Sequence, residues 1–172
     1  QRVIMTFSPR CENCPGCLSD GRMNCVNGGR ANGAGELLRG GSRLHDGARN
    51  IFHHLGVSAF ATYAVVDRSS VVPVDEDIPP AVAALLGCAV LTGGGALINV
   101  GKIDQDSKVA IVGLGGVGLA GLLTAKALGC RSIIAIDVNQ RKLDLASEFG
   151  ATEIHTPDDA LEQNLTADIV LE

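Results

Sequence analysis

Four of the chain's six cysteines, Cys11, Cys14, Cys17 and Cys25, fall within CENCPGCLSDGRMNC, separated by two, two and seven residues. Sulfurs two residues apart can wrap one centre, and the longer return brings in the fourth. The residues between them include the turn formers Asn13, Pro15, Gly16, Asp20 and Gly21. Four thiolates suit a tetrahedral zinc ion at about 2.3 Å each, in a closed structural site. The stretch has almost no apolar core of its own, so a metal would hold it together. Three other chemistries draw on the same residues and stay open. Two local disulfides fit less well, because disulfide-dense scaffolds are usually smaller and poorer in core. An iron–sulfur centre would have its fourth cysteine misplaced. A redox pair at CPGC would lack the strand-then-helix setting of that motif.

A second cluster of chemistry lies in GLGGVG, residues 113–118. Gly113, Gly115 and Gly118 have the GxGxxG spacing, which is weak alone but informative after an apolar strand and before a helix. Gly113 permits a tight turn, Gly115 a close backbone approach to a pyrophosphate, and Gly118 close packing of helix on strand. Leu114, Gly116 and Val117 complete the loop, whose N–H groups would face the phosphates. Asp137 ends the next strand, 19 residues after Gly118. A carboxylate there binds both ribose hydroxyls of NAD and repels the 2′-phosphate of NADP. Lys142 is within reach of the same ribose. Read without a cofactor, Asp137 is a helix cap and Lys142 a solvated charge. No GxxxxGK[ST] pattern is present.

Cys88, Cys130 and the histidines carry weaker signals. On its own residues Cys88, in LLGCAVLTGGGAL, reads as a small, buried apolar side chain, and Cys130 likewise as structural. His45 in a polar loop and His155 in a short strand have no partners spaced for a metal.

The elements that must position these groups differ between the halves. Residues 108–113, 132–137, 152–155 and 167–171 read as strands, with helices over 117–129 and 139–150. Asn139 opens the second of these helices and Gly150 closes it. This alternation predicts a parallel sheet with crossover helices. The first half predicts strands at residues 2–7, 60–67 and 70–74, and a long glycine-rich surface loop over 27–41. Residues 77–97 join the halves, with Pro79 or Pro80 suited to a helix start. The apolar stretch 81–100 is interrupted by glycines and reads as buried protein rather than a membrane span.

The composition bounds the function. The chain has 172 residues, 46% hydrophobic and 19% charged, an ordinary globular balance. A net charge of −5 and only 3% aromatic residues argue against a nucleic-acid surface. No signal-peptide pattern opens the sequence, and a reducing, cytoplasmic setting is expected. Beginning at Gln1 and ending on strand-like residues, the chain reads as incomplete at both ends.

Taken in order, CENCPGCLSDGRMNC, FHHLGVSAFATYAVVD, GCAVLTGGGALINVGKI, VAIVGLGGVGLAG and IIAIDVNQRK resemble the zinc-dependent medium-chain alcohol dehydrogenases. The likeness is strongest to the class I and class III, formaldehyde dehydrogenase-like, branch. It covers nearly the entire chain. It implies an α/β fold: a partial GroES-like, β-rich catalytic domain over 1–88 with a zinc lobe at 11–25, then a partial NAD-binding Rossmann domain over 89–172. It implies that Cys11, Cys14, Cys17 and Cys25 hold a structural zinc, that Cys88 is one ligand of a catalytic zinc, and that Thr92 lies beside the nicotinamide. Substrate would sit in the cleft between the domains.

The implied reaction is hydride transfer between an alcohol, or a hydroxymethyl–thiol adduct, and NAD, with zinc as Lewis acid. The implied partners are a small alcohol or aldehyde and further copies of the chain in a dimer or tetramer, with no nucleic acid and no membrane. The family's other two catalytic zinc ligands, a cysteine and the histidine of a Gly-His-Glu motif, precede the four-cysteine lobe and do not occur in this sequence. His53 and His54 match a structural position and do not replace them. These residues alone are therefore expected to be inactive. Two other readings are a related polyol dehydrogenase, opposed by the length of residues 27–50, and a non-catalytic zinc-lobed NAD-binding or interaction protein.

Overall fold

A computed structural model describes residues 1–172. It divides into two compact units, Gln1–Ala84 and Leu85–Glu172.

The first unit holds little regular structure. Strand β1 (Val3–Met5) is followed by helix α1 (Val26–Ala34), strands β2 (Leu44–Asp46) and β3 (Arg49–Ile51), and strand β4 (Val71–Pro73). β1 and β4 pair antiparallel, with Val3 opposite Pro73 at the end of the ladder, where a missing N–H is tolerated. β2 and β3 form a hairpin, so His45 lies in a strand and not in the polar loop expected for it.

The glycine-rich stretch expected to be a loop instead contains α1, for local reasons. The Cys25 sulfur caps it by accepting from the Gly28 N–H at 3.2 Å, and Gly35 ends it at φ 67°. Gly28 is required there: a Cβ would lie 2.3 Å from the Pro9 carbonyl oxygen. The strand expected over 60–67 does not form. An alternating pattern is half of what a strand needs, and no neighbouring strand supplies its ladder. Phe60 and Tyr63 are exposed.

Apolar burial in this unit is sparse, with Cys14, Ala31, Leu37 and Ala83 among the few buried apolar side chains. With Asp67 and Ser70, His53 is one of three buried polar side chains in this unit. Its Nε2 accepts the Arg43 N–H at 3.1 Å, so the ring is neutral. Burial, then the charge of Arg43, holds its pKa below the ordinary imidazole value. A folded-state pKa depressed in this way means that the stabilisation is complete above the ordinary range and is lost as pH falls through it. The urea midpoint of this unit is expected to hold steady from about pH 8 to 7 and to drop toward pH 5, with a flatter profile in His53→Gln.

The second unit follows the expected alternation. Helix α2 (Pro80–Leu86) enters it and breaks at Gly87 and Cys88, and α3 (Ala89–Gly95) runs on into a π-helical segment, Ala96–Gly101. Then come β5 (Lys108–Val112), α4 (Gly116–Ala127), β6 (Ser132–Ile136), α5 (Gln140–Phe149), β7 (Glu153–His155), α6 (Pro157–Glu162) and β8 (Ile169–Leu171). The sheet is parallel, in the order β7-β6-β5-β8.

β5 and β6 are apolar on both faces, as strands covered on both sides must be. Val109, Ile111, Ile133 and Ala135 pack with Leu97, Leu114, Leu122, Ala125, Leu143 and Ala146. Ala110, Ile134 and Ile136 face the other way, against Ala160, Leu165 and Ala167. Each fully buried Leu or Ile side chain contributes about 1.5–3 kcal/mol. α6 was not expected. A reciprocal capping box between Thr156 and Asp159, with Pro157 in the first turn, forms it.

The stretch 81–100, expected to be buried, is buried on one face only: Ala83, Gly93, Gly94 and Leu97 are covered, whereas Val82, Leu85, Leu91, Ile98 and Val100 are exposed. The covered face of α3 meets α4 backbone to backbone. A Cβ on Gly93 would lie 2.2 Å from the Val117 carbonyl oxygen and 2.8 Å from the Gly121 nitrogen. Gly93→Ala must therefore push α3 off α4 and is expected to lower stability by about 1–3 kcal/mol. Gly95→Ala, whose Cβ meets nothing nearer than 3.6 Å, is the control and should be neutral or slightly stabilising in the same urea titration.

Candidate zinc lobe and dinucleotide site

The turns of residues 11–25 bring the four lobe sulfurs within 4.8 Å of one another. The Cys11 and Cys17 sulfurs lie 3.9 Å apart, and those of Cys14 and Cys25 3.8 Å apart. A tetrahedron with metal–sulfur bonds of about 2.3 Å has edges of about 3.8 Å. A disulfide has its sulfurs at about 2.05 Å. The donor set thus has the dimensions of a tetrahedral metal cage, and all six cysteines are free thiols.

Backbone amides surround the cage: Cys11 N–H donates to the Cys25 sulfur at 3.3 Å and Cys17 N–H to the Cys14 sulfur at 3.4 Å. These bonds favour thiolates. The Cys17 amide is the main reason that the Cys14 thiol is lowered to about 6, and Cys11 is lowered first by a backbone bond from Asn13. Burial, with the Cys25 sulfur next, pushes Cys17 up to about 11. One member of the cage was not foreseen. Asn27 Nδ2 donates to the Cys11 sulfur at 3.3 Å, an outer contact that cysteine spacing does not encode.

In the second unit the glycine loop joins β5 to α4. Gly113 turns the chain at φ 87°, its N–H bonded to the Ile136 carbonyl at 2.8 Å. Gly115 precedes the helix, and a Cβ on it would meet nothing within 4 Å, so the loop is open where a phosphate would approach. A Cβ on Gly118 would lie 1.9 Å from the Gly113 carbonyl oxygen, so only glycine lets α4 start this close to β5. The amides of Gly116, Val117 and Gly118 open the helix with no carbonyl one turn behind them.

Asp137 follows β6 and is buried. Its Oδ2 accepts the Leu114 N–H at 2.7 Å and lies 3.4 Å from Lys142 Nζ, and its Oδ1 accepts the Asn139 N–H at 2.9 Å. Burial raises its pKa, but these donors outweigh it and hold the carboxyl below the ordinary carboxylate range. Asn139 opens α5 by position only. Its side chain makes no capping bond.

Cys88 sits at the break before α3, and its carbonyl accepts both the Thr92 N–H at 2.9 Å and the Thr92 hydroxyl at 3.0 Å. It is exposed, not buried as its apolar surroundings in the sequence suggested. It belongs to no cluster of three or more ligating side chains, and neither do the four histidines.

The zinc-binding dehydrogenase family matches residues 116–171. The chain is 40% identical over 156 residues to S-(hydroxymethyl)glutathione dehydrogenase from Komagataella pastoris, an alignment that takes in 90% of this chain and 41% of that protein. An alcohol dehydrogenase zinc-binding domain protein from Burkholderia ambifaria superposes with a TM-score of 0.81 at 29% identity, over 96% of this chain and 46% of that one. The chain belongs to the zinc-dependent medium-chain alcohol dehydrogenase family. Benzyl alcohol dehydrogenase from Acinetobacter calcoaceticus extends the likeness, with a TM-score of 0.68 and 30% identity over 94% of this chain and 45% of that one. This zinc alcohol dehydrogenase chain spans somewhat less than half the length of the relatives it matches. Its parallel sheet is of the Rossmann type that the sequence led us to expect.

Proposed function

We propose that these residues are part of an NAD-dependent zinc alcohol dehydrogenase that converts a primary alcohol, or a hydroxymethyl–thiol adduct, to the aldehyde level. The observation that carries this reading is Asp137: an ionised carboxylate at a strand end, bonded to the glycine loop through Leu114 N–H at 2.7 Å, beside an open helix N-terminus. The pyrophosphate would rest on residues 113–118, the ribose hydroxyls on Asp137 with Lys142 alongside, and the nicotinamide near Thr92. The lobe thiolates would hold a structural zinc that takes no part in chemistry. Cys88 would be one ligand of a second zinc. When bound, that zinc and the nicotinamide supply Lewis-acid polarisation of the alcohol oxygen and hydride acceptance. The chain's own part is positional. Thr92 pins the carbonyl of Cys88, and the glycine contact of α3 with α4 ties that segment to the cofactor loop.

One thiolate does not make a catalytic zinc site. The reading therefore needs two further ligands, the expected cysteine and Gly-His-Glu histidine, from outside these residues. A second reading is a zinc-lobed NAD-binding module without catalysis. A small alcohol or aldehyde as substrate, assembly into a dimer or tetramer and a cytoplasmic setting for the free thiols belong to the first reading.

The purified chain is expected to carry one zinc, to bind NAD and to turn over neither ethanol, longer alcohols nor a formaldehyde–thiol adduct. Elemental analysis and an NAD titration test this, and a chain that binds neither zinc nor NAD would sink both readings. Turnover by a longer chain that carries the two upstream ligands, lost in Cys88→Ser, decides for the enzyme.

A further inference from the structure

The first unit contains a cavity of about 940 Å³ beside the cysteine lobe, and its charge is unlike that of the rest of the chain. Four arginines are among the residues that line it, Arg10, Arg30, Arg39 and Arg68, with three acidic residues, Glu12, Glu36 and Asp67. The chain as a whole carries −5.

Asp67 is already engaged. Its side chain is only 7% exposed, its Oδ2 lies 3.5 Å from Arg39 Nε, and its Oδ1 accepts the Ser69 N–H at 3.0 Å and the Ser69 hydroxyl at 2.8 Å. The same Ser69 hydroxyl oxygen accepts the Arg10 N–H at 3.2 Å, and the Arg10 guanidinium donates to the Cys17 carbonyl at 2.7 Å. One wall is therefore fixed by its own hydrogen bonds. Arg30, on α1, and Arg68 enter no ion pair. Arg30 and Arg68 thus line one cavity without carboxylate partners, as Glu12 and Glu36 line it without cationic ones, and arginine binds oxyanions through paired N–H donors.

We propose that this cavity binds a small oxyanion of at least two negative charges, held by Arg30 and Arg68. Phosphoryl and dicarboxylate ligands share that chemistry. The inference does not depend on NAD, and it is tested on the zinc-loaded chain, because the lobe and α1 form part of the lining.

Isothermal titration of the whole chain with inorganic phosphate and, separately, with malonate at constant ionic strength in chloride tests it. One saturable site is expected for at least one of the two, and the tighter anion identifies the source. Arg30→Gln and Arg68→Gln should each weaken binding about tenfold and the double variant about a hundredfold. Arg131→Gln, whose exposed partner Asp106 lies in the other unit, should leave the affinity unchanged. Circular dichroism should show all variants folded, since the replaced side chains are exposed. No saturable heat with either anion, or full affinity in the folded double variant, overturns the proposal.

Discussion

Cys14→Ser is expected to reduce zinc from one per chain to none after gel filtration against a mild chelator, and to leave NAD binding intact. Among the cage sulfurs Cys14 belongs to the most buried residue, and its lowered pKa of about 6 makes it a ready thiolate near neutral pH. A serine hydroxyl does not ionise in this range and cannot replace it. Structural zinc sites of this kind supply about 10–16 kcal/mol of apparent binding free energy to small domains. The first unit has few other resources, since Ala31 and Leu37 are among its few buried apolar side chains. Its α1 is also tied to the cage, because the Cys25 sulfur caps it. Loss of metal should therefore appear as lost helical signal and as ready proteolysis within residues 11–41. The second unit has its own core around Ile111, Leu122 and Ile133, so an NAD titration should change little. Zinc retained in equal amount, or NAD binding lost together with zinc, would defeat this separation of roles. A coloured preparation would point to iron in the same cage, which has the same tetrahedral thiolate preference.

The two units differ in how much their sequences disclose, and the reason is physical. In the second, the central strands β5 and β6 are buried on both faces and α4 and α5 each bury one stripe, so Lys108–Val112 and Ser132–Ile136 announce themselves as apolar runs and Gly150 as a stop. The GxGxxG spacing is equally direct, because a Cβ at Gly118 would strike the Gly113 carbonyl and no other residue fits. In the first unit the organising contacts are non-local or sulfur-centred. The spacing of Cys11, Cys14, Cys17 and Cys25 discloses that four sulfurs converge, but not that Cys25 also caps a helix through a run of glycines. Residues 60–67 have the period of a strand and lack a partner, which no local pattern reveals. Cys88 misleads for a related reason. Its apolar neighbours belong to a helical stretch of which only the glycine face is covered, so the cysteine at the break stays exposed.

Asp137→Asn is expected to weaken NAD binding about a hundredfold and to reduce or reverse the preference over NADP. A carboxylate accepting two ribose hydroxyls makes charge-assisted hydrogen bonds worth about 1.5–3 kcal/mol each, and the neutral amide loses the charge while one end can only donate. The same change removes the repulsion that a 2′-phosphate would meet, and Lys142, freed from its 3.4 Å pairing, would attract it. The wild-type carboxyl is held below the ordinary range by Leu114 N–H, Asn139 N–H and Lys142 against its burial, so NAD affinity should stay flat from about pH 8 to 5. By the same sign, the stability that Asp137 lends to the fold is complete above the ordinary carboxylate range and is lost progressively as pH falls from that range through the depressed value. Asp137→Ala serves a different purpose. It leaves the Leu114 amide unpaired at a buried position and should destabilise the second unit by about 1–3 kcal/mol, whatever the cofactor, whereas the amide of the exposed Asn139 can turn to water. Fluorescence titrations with NADH and NADPH, run beside urea unfolding, separate the two effects. If Asp137→Asn keeps its stability yet loses both cofactors equally, the carboxylate orders the glycine loop and does not read the ribose.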